Sequence, residues 1–277
     1  MATTTKAAAP AKKSQGFGGV KDAWIIMAVC LCLGYSFWYF ILGSADNFAG
    51  GDKENGHPLN LMGTVYKGGI VVGLIFTLLL TVVSLGIERF FALKTAFGTM
   101  NLAKFTAQIK DLIKQQRFDD ADALCDKMKG SVANVLKASI AMYRTVESDS
   151  TLKKAQKISK IQQAHEEATQ LEMPTLTMNL PIVATIVTLG TLTALFGTVL
   201  GMIGSFQALA SGGGADSMAL STGISEALVN TASGILTSWV AVVVYNYFSN
   251  KIDKLTFALD EVGYTIAATY DSNHTEA

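Results

Sequence analysis

Two threonines and one glutamate are candidates for ion chemistry because they lie in long apolar segments. Asp, Glu, Lys and Arg are absent from 173–215 and again from 227–250, yet Glu226 lies well inside the second apolar segment, about eight residues after its start near Met218. A charged side chain at the centre of a bilayer costs about 2.5–3.5 kcal/mol. Glu226 is therefore either a neutral acid bonded to a neighbouring backbone or hydroxyl group, or a group that serves ion passage or partner pairing.

Thr198 and Thr231 are expected at similar depths on either side of a Gly-rich turn near Gly213. Thr198 precedes Gly213 by 15 residues and Thr231 follows it by 18. At the rise of an α-helix, a difference of three residues is about 4.5 Å. Either each threonine bonds back to its own helix, or the two hydroxyls form a polar ring when helix pairs assemble. Hydroxyls alone do not titrate, so a proton path here requires a carboxylate from another chain.

Small and polar neighbours would let these helices approach each other. Two glycines flank Thr198 in a G-x-x-x-G pair, which permits close contact between backbones. The residues expected to pack the helices or line a cavity are Gly197, Gly201, Ser205, Asn230 and Ser238. We find no nucleophile–base pair, phosphate-binding loop or metal-ligand cluster in the sequence. We therefore expect neither an enzyme nor a bound metal or cofactor.

The segments that position these residues predict an all-α, polytopic membrane protein. Half of the residues are hydrophobic and 16% are charged, against about 25% charged in ordinary soluble domains. Four apolar segments are long enough to span a bilayer, which takes about 20 residues. The predicted organisation is a disordered tail (1–23), a first span (24–42), an outer loop (43–67), a second span (68–91), a helical cytoplasmic domain (92–178), a third span (179–210), an outer turn (211–217), a fourth span (218–249), and an amphipathic helix and tail (250–277).

The distribution of basic residues predicts the orientation of these spans. The segment 89–178 carries 14 Lys and Arg residues, whereas 43–66 carries one lysine and three acids. Positive charge accumulates in cytoplasmic loops, so both termini are expected inside a bacterial inner membrane. The alternative for the first apolar run is a cleaved secretory signal, which leaves the orientation of the other three spans unchanged.

Helical periodicity predicts four helices in the cytoplasmic segment, because apolar residues recur there at intervals of three and four. We expect Gly130 to end the second of these helices and Ser150 to cap the fourth, which would begin at Thr151. Pro174 and Pro181 are expected to bend the chain as it returns to the membrane. An amphipathic helix is expected after Asn250.

Three motifs resemble the MotA/TolQ/ExbB proton channel family, and ExbB in particular. They are LFGTVLGMIGSF at 195–206, GISEALVNTASGILTSWVAVVVYNYF at 223–248, and FDDADALC at 118–125 after a span that ends in IERFFALK. The resemblance covers roughly residues 65–260. The first span and the loop at 43–66 are extra relative to the three-span pattern of ExbB.

The resemblance implies a homopentamer that surrounds two copies of an ExbD-like single-span partner with a membrane aspartate. Thr198 and Thr231 would line the cavity around that aspartate, and Glu226 matches the family's glutamate. Proton flow would then move the partner, and a TonB-like protein would carry the force towards the outer membrane. The ion would be a proton, with sodium as the alternative. No nucleic-acid partner is expected.

The sequence departs from the family pattern at Thr191, where the family commonly has a proline seven residues before the first threonine. This departure leaves a TolQ-like subunit, or a gliding- or flagellar-type stator, open as an alternative. A second alternative, from a different functional class, is a membrane scaffold that conducts no ion.

Overall fold

The computed structural model describes residues 23–53, 56–211 and 217–274. The expected tail over 1–22, most of the turn at 211–217 and the last three residues lie outside these ranges. The α-helices of the described residues are α1 (Ala23–Ser36), α2 (Leu61–Tyr66), α3 (Ile70–Ala96), α4 (Leu102–Lys114), α5 (Phe118–Met128), α6 (Gly130–Ser148), α7 (Lys154–Thr177), α8 (Leu180–Ser211) and α9 (Ser217–Asn273).

The predicted all-α fold with four membrane-length helices is confirmed. The segments long and apolar enough to cross a membrane are Ala23–Leu42, Ile70–Ala96, Leu180–Gln207 and Leu220–Asn273. The first of these begins as α1 and ends in a π-helical turn, Phe37–Leu42. The described residues divide into two compact units. One contains α1, α2, α3 up to Arg89, α8, and α9 up to Phe248; the other contains Phe90–Met178 and α9 from Ser249.

Close packing organises the unit that contains the membrane-length helices. Its core joins α3, α8 and α9 through Val82, Leu85, Val183, Ile186 and Ala241. Between helices in a lipid environment, apolar side chains gain little from leaving lipid, so van der Waals packing and hydrogen bonds must hold them together. Small residues are therefore needed wherever two backbones meet.

Helix α1 packs against α3 through such a contact. A Cβ atom added to Gly34 would lie 2.9 Å from the Cα atom of Thr77, which is too close for any side chain. One turn earlier, the sulfur of Cys30 lies 3.5 Å from the hydroxyl of Ser84. The span that is extra to the family pattern is thus fitted closely to its neighbour.

Helices α7 and α8 are separated by a break at Asn179 rather than at either proline. Asn179 adopts a left-handed conformation with φ of 64°. Pro174 lies inside α7, and Pro181 lies in the first turn of α8, where its missing N–H costs little. The two prolines therefore do not end either helix, and the break between α7 and α8 is a single left-handed residue between them.

A buried ion pair lies beside this break. Arg89 is fully buried and pairs with Glu88 at 2.5 Å. The side-chain amide of Asn179 donates to the same carboxylate over 3.4 Å. A buried charge is tolerated only when it is paired and hydrogen-bonded, and this carboxylate provides both for Arg89.

The other unit is a helical bundle built from α4 to α7 and the distal part of α9. Its fully buried side chains recur at the predicted helical spacing, and they include Phe105, Ile109, Leu136, Tyr143 and Tyr270. The segment after Asn250 is helical, as expected, and it continues α9, which runs without interruption from Ser217 to Asn273. No glycine or proline lies between 235 and 262 to end it.

Two predicted helix boundaries in this bundle are wrong. Helix α7 begins at Lys154 rather than Thr151, because the Asp149 carboxylate accepts from the backbone N–H of Thr151 at 2.8 Å and forms a turn there. The predicted cap at Ser150 is therefore absent from the start of α7. Helix α5 ends at Met128, and Gly130 begins α6 rather than ending α5.

Candidate ion pathway

Helices α8 and α9 form an antiparallel pair that is joined along a seam of small residues. The residues of the seam recur at intervals of three and four on both helices. On α8 they are Gly190, Ala194, Gly197, Gly201 and Ser205, and on α9 they are Gly223, Ala227, Asn230, Gly234 and Ser238. Repeats of three and four keep residues on one face of a helix, so the sequence dictates a continuous line of contact.

The seam brings the two backbones together. A Cβ atom on Gly197 would lie 2.6 Å from the Cγ atom of Asn230. A Cβ atom on Gly201 would lie 2.9 Å from the carbonyl oxygen of Gly223, and one on Gly234 would lie 2.6 Å from that of Gly190. Side chains beside the seam on opposite helices are consequently within hydrogen-bonding reach of each other.

Thr198 and Thr231 meet beside this seam. Their hydroxyl oxygens are 2.6 Å apart, and both residues are half-buried. Thr198 also lies 2.9 Å from the carbonyl oxygen of Ala194, and Thr231 lies 3.1 Å from that of Ala227. The two interpretations of these threonines therefore coexist, because each hydroxyl can bond back to its own helix or across to its partner.

The hydrogens in this pair can be arranged in two ways. Each hydroxyl has one hydrogen, so two hydrogens are distributed over the contact between the hydroxyls and the two helix carbonyls. Either Thr198 donates to Thr231 and Thr231 donates to its own helix, or the directions are reversed. In both arrangements the pair retains lone pairs that can accept from an outside donor. The site can therefore reverse its polarity without moving a heavy atom.

A second hydroxyl pair lies along the same helices. The Thr191 and Ser238 hydroxyl oxygens are 3.0 Å apart. Thr191 precedes Thr198 by seven residues and Ser238 follows Thr231 by seven, so this pair lies about 10 Å nearer the Leu180 end of α8. The sequence prediction included Ser238 but not its pairing with Thr191. This pairing could have been found from the sequence, because the residue numbers of facing residues in two antiparallel helices have a constant sum. Thr191 and Ser238 have the same sum as Thr198 and Thr231.

Glu226 and Asn230 lie on a different face of α9 from the hydroxyl pairs. The buried side-chain amide of Asn230 donates to the carbonyl oxygen of Gly68 at 3.0 Å. The half-buried carboxyl group of Glu226, one turn away, lies against the backbone of Gly69 just before α3 begins. Glu226 precedes Thr231 by five residues, which rotates the two side chains by about 140° from each other around the helix axis. Glu226 therefore lies at a different depth from Thr231 and points in a different direction.

Ser205 closes the seam towards the Ser211 end of α8. It is buried, and its hydroxyl donates to the carbonyl oxygen of Gly201 at 3.0 Å, with that of Leu220 at 3.4 Å. The structure thus brings Thr198 and Thr231 together, joins Ser238 to Thr191, and leaves Glu226 apart from both pairs. Gly197, Gly201 and Asn230 pack the two helices against each other. Within the described residues, no group of three or more His, Cys, Asp or Glu side chains could hold a metal ion.

Residues 129–261 match the model of the MotA/TolQ/ExbB proton channel family. The matched segment contains both hydroxyl pairs and the whole seam. The resemblance recognised from the motifs is confirmed by this match.

Similar proteins carry ExbB and TolQ names at nearly equal identity. The chain is 36% identical over 95 residues to the Tol-Pal system protein TolQ of Pseudomonas aeruginosa, which is 34% of this chain and 41% of that protein. It is 37% identical over 87 residues to a putative ExbB-like biopolymer transport protein of Synechocystis, 31% and 41% of the two chains. It is 37% identical over 79 residues to the biopolymer transport protein ExbB of Salmonella typhimurium, 28% and 32% of the two chains. The chain therefore aligns with well under half the length of each of these relatives.

Proposed function

We propose, because residues 129–261 match the MotA/TolQ/ExbB proton channel family, that this chain is the channel subunit of a proton-driven motor. The observation that carries the proposal is the Thr198–Thr231 hydroxyl pair, 2.6 Å across, on a half-buried face of two membrane-length helices. Polar side chains at membrane depth usually face a bundle interior or a water path rather than lipid.

The hydroxyl pair needs a titrating group from another chain. Within the described part of α8 and of α9 up to Phe248, Glu226 is the one carboxylate, and it faces α3 rather than the pair. A single-span, ExbD-like partner with a membrane aspartate would supply the missing group. When that aspartate is ionised, a threonine hydroxyl donates to it; when it is protonated, it donates to a threonine lone pair. In the ionised state, the threonine that bonds to its own helix carbonyl turns that hydrogen to the carboxylate, and because the pair can reverse, either threonine can do so.

A homopentamer around the partner would place five such pairs in a ring. The exposed large apolar side chains of α8 and α9, such as Phe196, Leu228 and Trp239, support contacts with lipid or with other subunits. We place the assembly in a bacterial inner membrane with both termini in the cytoplasm, on the strength of the basic residues in 89–178. Glu226, on the outer side of the pair in this orientation, would act as a gating or supporting residue.

The work done by the motor would be transmitted to a TonB-like protein for outer-membrane import. A TolQ-like role is the second candidate, because a TolQ and two ExbB-type relatives match at 36–37% identity. A gliding- or flagellar-type stator and a scaffold that conducts no ion are the further alternatives. Purifying the tagged chain from its host membrane and sequencing the single-span protein that co-purifies would separate these branches.

The test of conduction is proton flux into proteoliposomes that contain the chain and its co-purified partner. We expect the double variant Thr198→Ala with Thr231→Ala to lose flux by at least tenfold while the complex keeps its size. The matched control is Thr185→Ala, an exposed threonine of α8 whose hydroxyl bonds to the carbonyl oxygen of Pro181. Wild-type flux in the double variant would refute the proposal, and a wild-type complex without flux under a proton gradient would favour the scaffold.

A further inference from the structure

The Thr191–Ser238 pair repeats the geometry of the Thr198–Thr231 pair along the same two helices. The residue numbers of each pair sum to 429, which is the mark of one antiparallel register. Seven residues are almost two full turns, so the second pair is rotated by only about 20° from the first. Both pairs therefore face the same side of the hairpin.

The repeat has a defined end in one direction. In the same register, the partner of Ser205 towards the Gly-rich turn would be Ile224, which carries no hydroxyl. Ser205 is buried and bonds to the carbonyl oxygen of Gly201 in its own helix. The hydroxyl pairs therefore extend from the Thr198 level towards the Leu180 end of α8 and not towards the turn.

The second pair differs from the first in how its hydrogens are used. Two hydroxyls have two hydrogens, and the contact between Thr191 and Ser238 uses one of them. Within the described residues, neither hydroxyl of this pair has a bond to a helix carbonyl. Thr191 is exposed in the isolated chain, so when Ser238 donates to Thr191 the remaining hydrogen, on Thr191, is available to whatever occupies that face. A polar occupant would satisfy it, whereas lipid would not.

We propose that Thr191 and Ser238 form a second hydroxyl rung that carries the permeating proton between the Thr198–Thr231 pair and the Leu180 end of α8. This inference rests on the proposed function and names the exit side of the same path. The rungs are about 10 Å apart along the helix, too far for a direct bond, so about three hydrogen-bonded waters join them. Each hydroxyl accepts a proton at a lone pair and releases its own hydrogen to the next oxygen. Each hydroxyl therefore gains one proton and loses one, and the pair is chemically unchanged after the transfer.

Thr191 also explains why a departure from the family pattern is compatible with conduction. The family's proline at this position has no hydroxyl and no backbone N–H. Threonine keeps α8 continuous from Leu180 to Ser211 and supplies the rung instead. The polar path in this chain would therefore depend on a side chain where the family pattern depends on a bend.

The test measures proton flux in proteoliposomes for Thr191→Val, Ser238→Ala and the double variant, each with its co-purified partner. We expect at least a tenfold loss in the double variant, and recovery to within about threefold of wild type in Thr191→Ser, which keeps the hydroxyl. Two controls each remove a hydroxyl that bonds within its own helix: Thr185→Val on α8 and Thr237→Val, which is buried beside Ser238. Neither control should change flux by more than about twofold.

The outcomes separate this inference from the proposed function. Loss of flux in the Thr198 and Thr231 variant, together with wild-type flux in the Thr191 and Ser238 variant, would overturn the second rung alone. An absence of flux in the wild-type complex would overturn the proposed function itself.

A cysteine experiment decides the matter if the double variant fails to assemble. Thr191→Cys is introduced after replacing Cys30, Cys32 and Cys125 with alanine, and is treated with 2-aminoethyl methanethiosulfonate. This reagent needs a thiolate, which forms where water reaches and not in lipid. Modification that lowers flux at least fivefold supports the rung, whereas an unreactive thiol at position 191 in a conducting complex overturns it.

Discussion

The side-chain amide of Asn230 donates a 3.0 Å hydrogen bond to the backbone carbonyl oxygen of Gly68. This contact ties α9, at the level of the threonine pair, to the turn that precedes α3. Asn230 is completely buried, so neither group has water as an alternative partner. The position of Thr231, the next residue, is thereby fixed from outside the hairpin as well as from within it.

Asn230→Leu should destabilise the chain by about 1–3 kcal/mol, because it leaves the Gly68 carbonyl buried without its donor. Thermal unfolding of the detergent-solubilised protein, followed by tryptophan fluorescence, measures this loss. Ser233→Ala is the matched control, a half-buried polar residue one turn further along α9, and it should change stability by less than about 0.5 kcal/mol. Equal stability of Asn230→Leu and wild type would contradict the expected net stabilisation by Asn230.

Gly197→Ala should separate α8 from α9, because the new Cβ atom would lie 2.6 Å from the side chain of Asn230. Overpacking of this kind typically costs about 1–3 kcal/mol. We expect a lower melting temperature and, since the hydroxyls of Thr198 and Thr231 move apart, a loss of proton flux.

Gly204→Ala provides the control on the same helix. A Cβ atom at Gly204 meets nothing within 4 Å, so alanine should be neutral or stabilise the helix by up to about 1 kcal/mol. If Gly197→Ala and Gly204→Ala behave alike, then the close approach of α8 and α9 along the seam is wrong.

Acidification should destabilise the bundle through His165. This side chain is buried, and its Nδ1 atom lies 2.9 Å from the hydroxyl of Ser139. Burial lowers the pKa of His165 below its ordinary value of 6.5, and the nearby carboxylates of Asp260 and Glu166 oppose this shift. A lowered pKa means that the stability from the neutral ring is present above pH 6.5 and is lost as the pH falls below it.

The measurement is the melting temperature at about pH 7.5 and about pH 5.5, on either side of the ordinary histidine pKa. Over one pH unit below that pKa, the loss can reach about 1.4 kcal/mol for this one group. His165→Gln cannot take up a proton in this range, so its melting temperature should fall less on acidification, even if the variant is less stable at neutral pH. An identical fall in both proteins would exclude His165 as the cause.

The sequence was sufficient to predict the four long helices and the similar depth of Thr198 and Thr231. Both depend on local rules, since charge-free segments of sufficient length mark spans and straight helices beside a short turn keep register. The bond from Asn230 to Gly68 could not be predicted, because it joins residues 162 positions apart through tertiary packing. Nothing in the local sequence indicates which carbonyl a buried amide will find.

The errors in the prediction have equally physical causes. The boundary placed at Asn250 between the fourth span and the amphipathic helix came from a change in polarity, which marks the edge of an apolar segment and not a break in the helix. At the return to the membrane, the prediction considered the two prolines and not Asn179, where α7 and α8 are separated. Asparagine is one of the few non-glycine residues that adopt a left-handed conformation readily.

The seam between α8 and α9 has a mechanical consequence. Where glycines and alanines place one backbone against another, there are no long side chains to change rotamer and absorb a displacement. The two helices are therefore expected to move as one rigid body. Any change of shape in a motor built from this chain would have to occur outside the contact between α8 and α9.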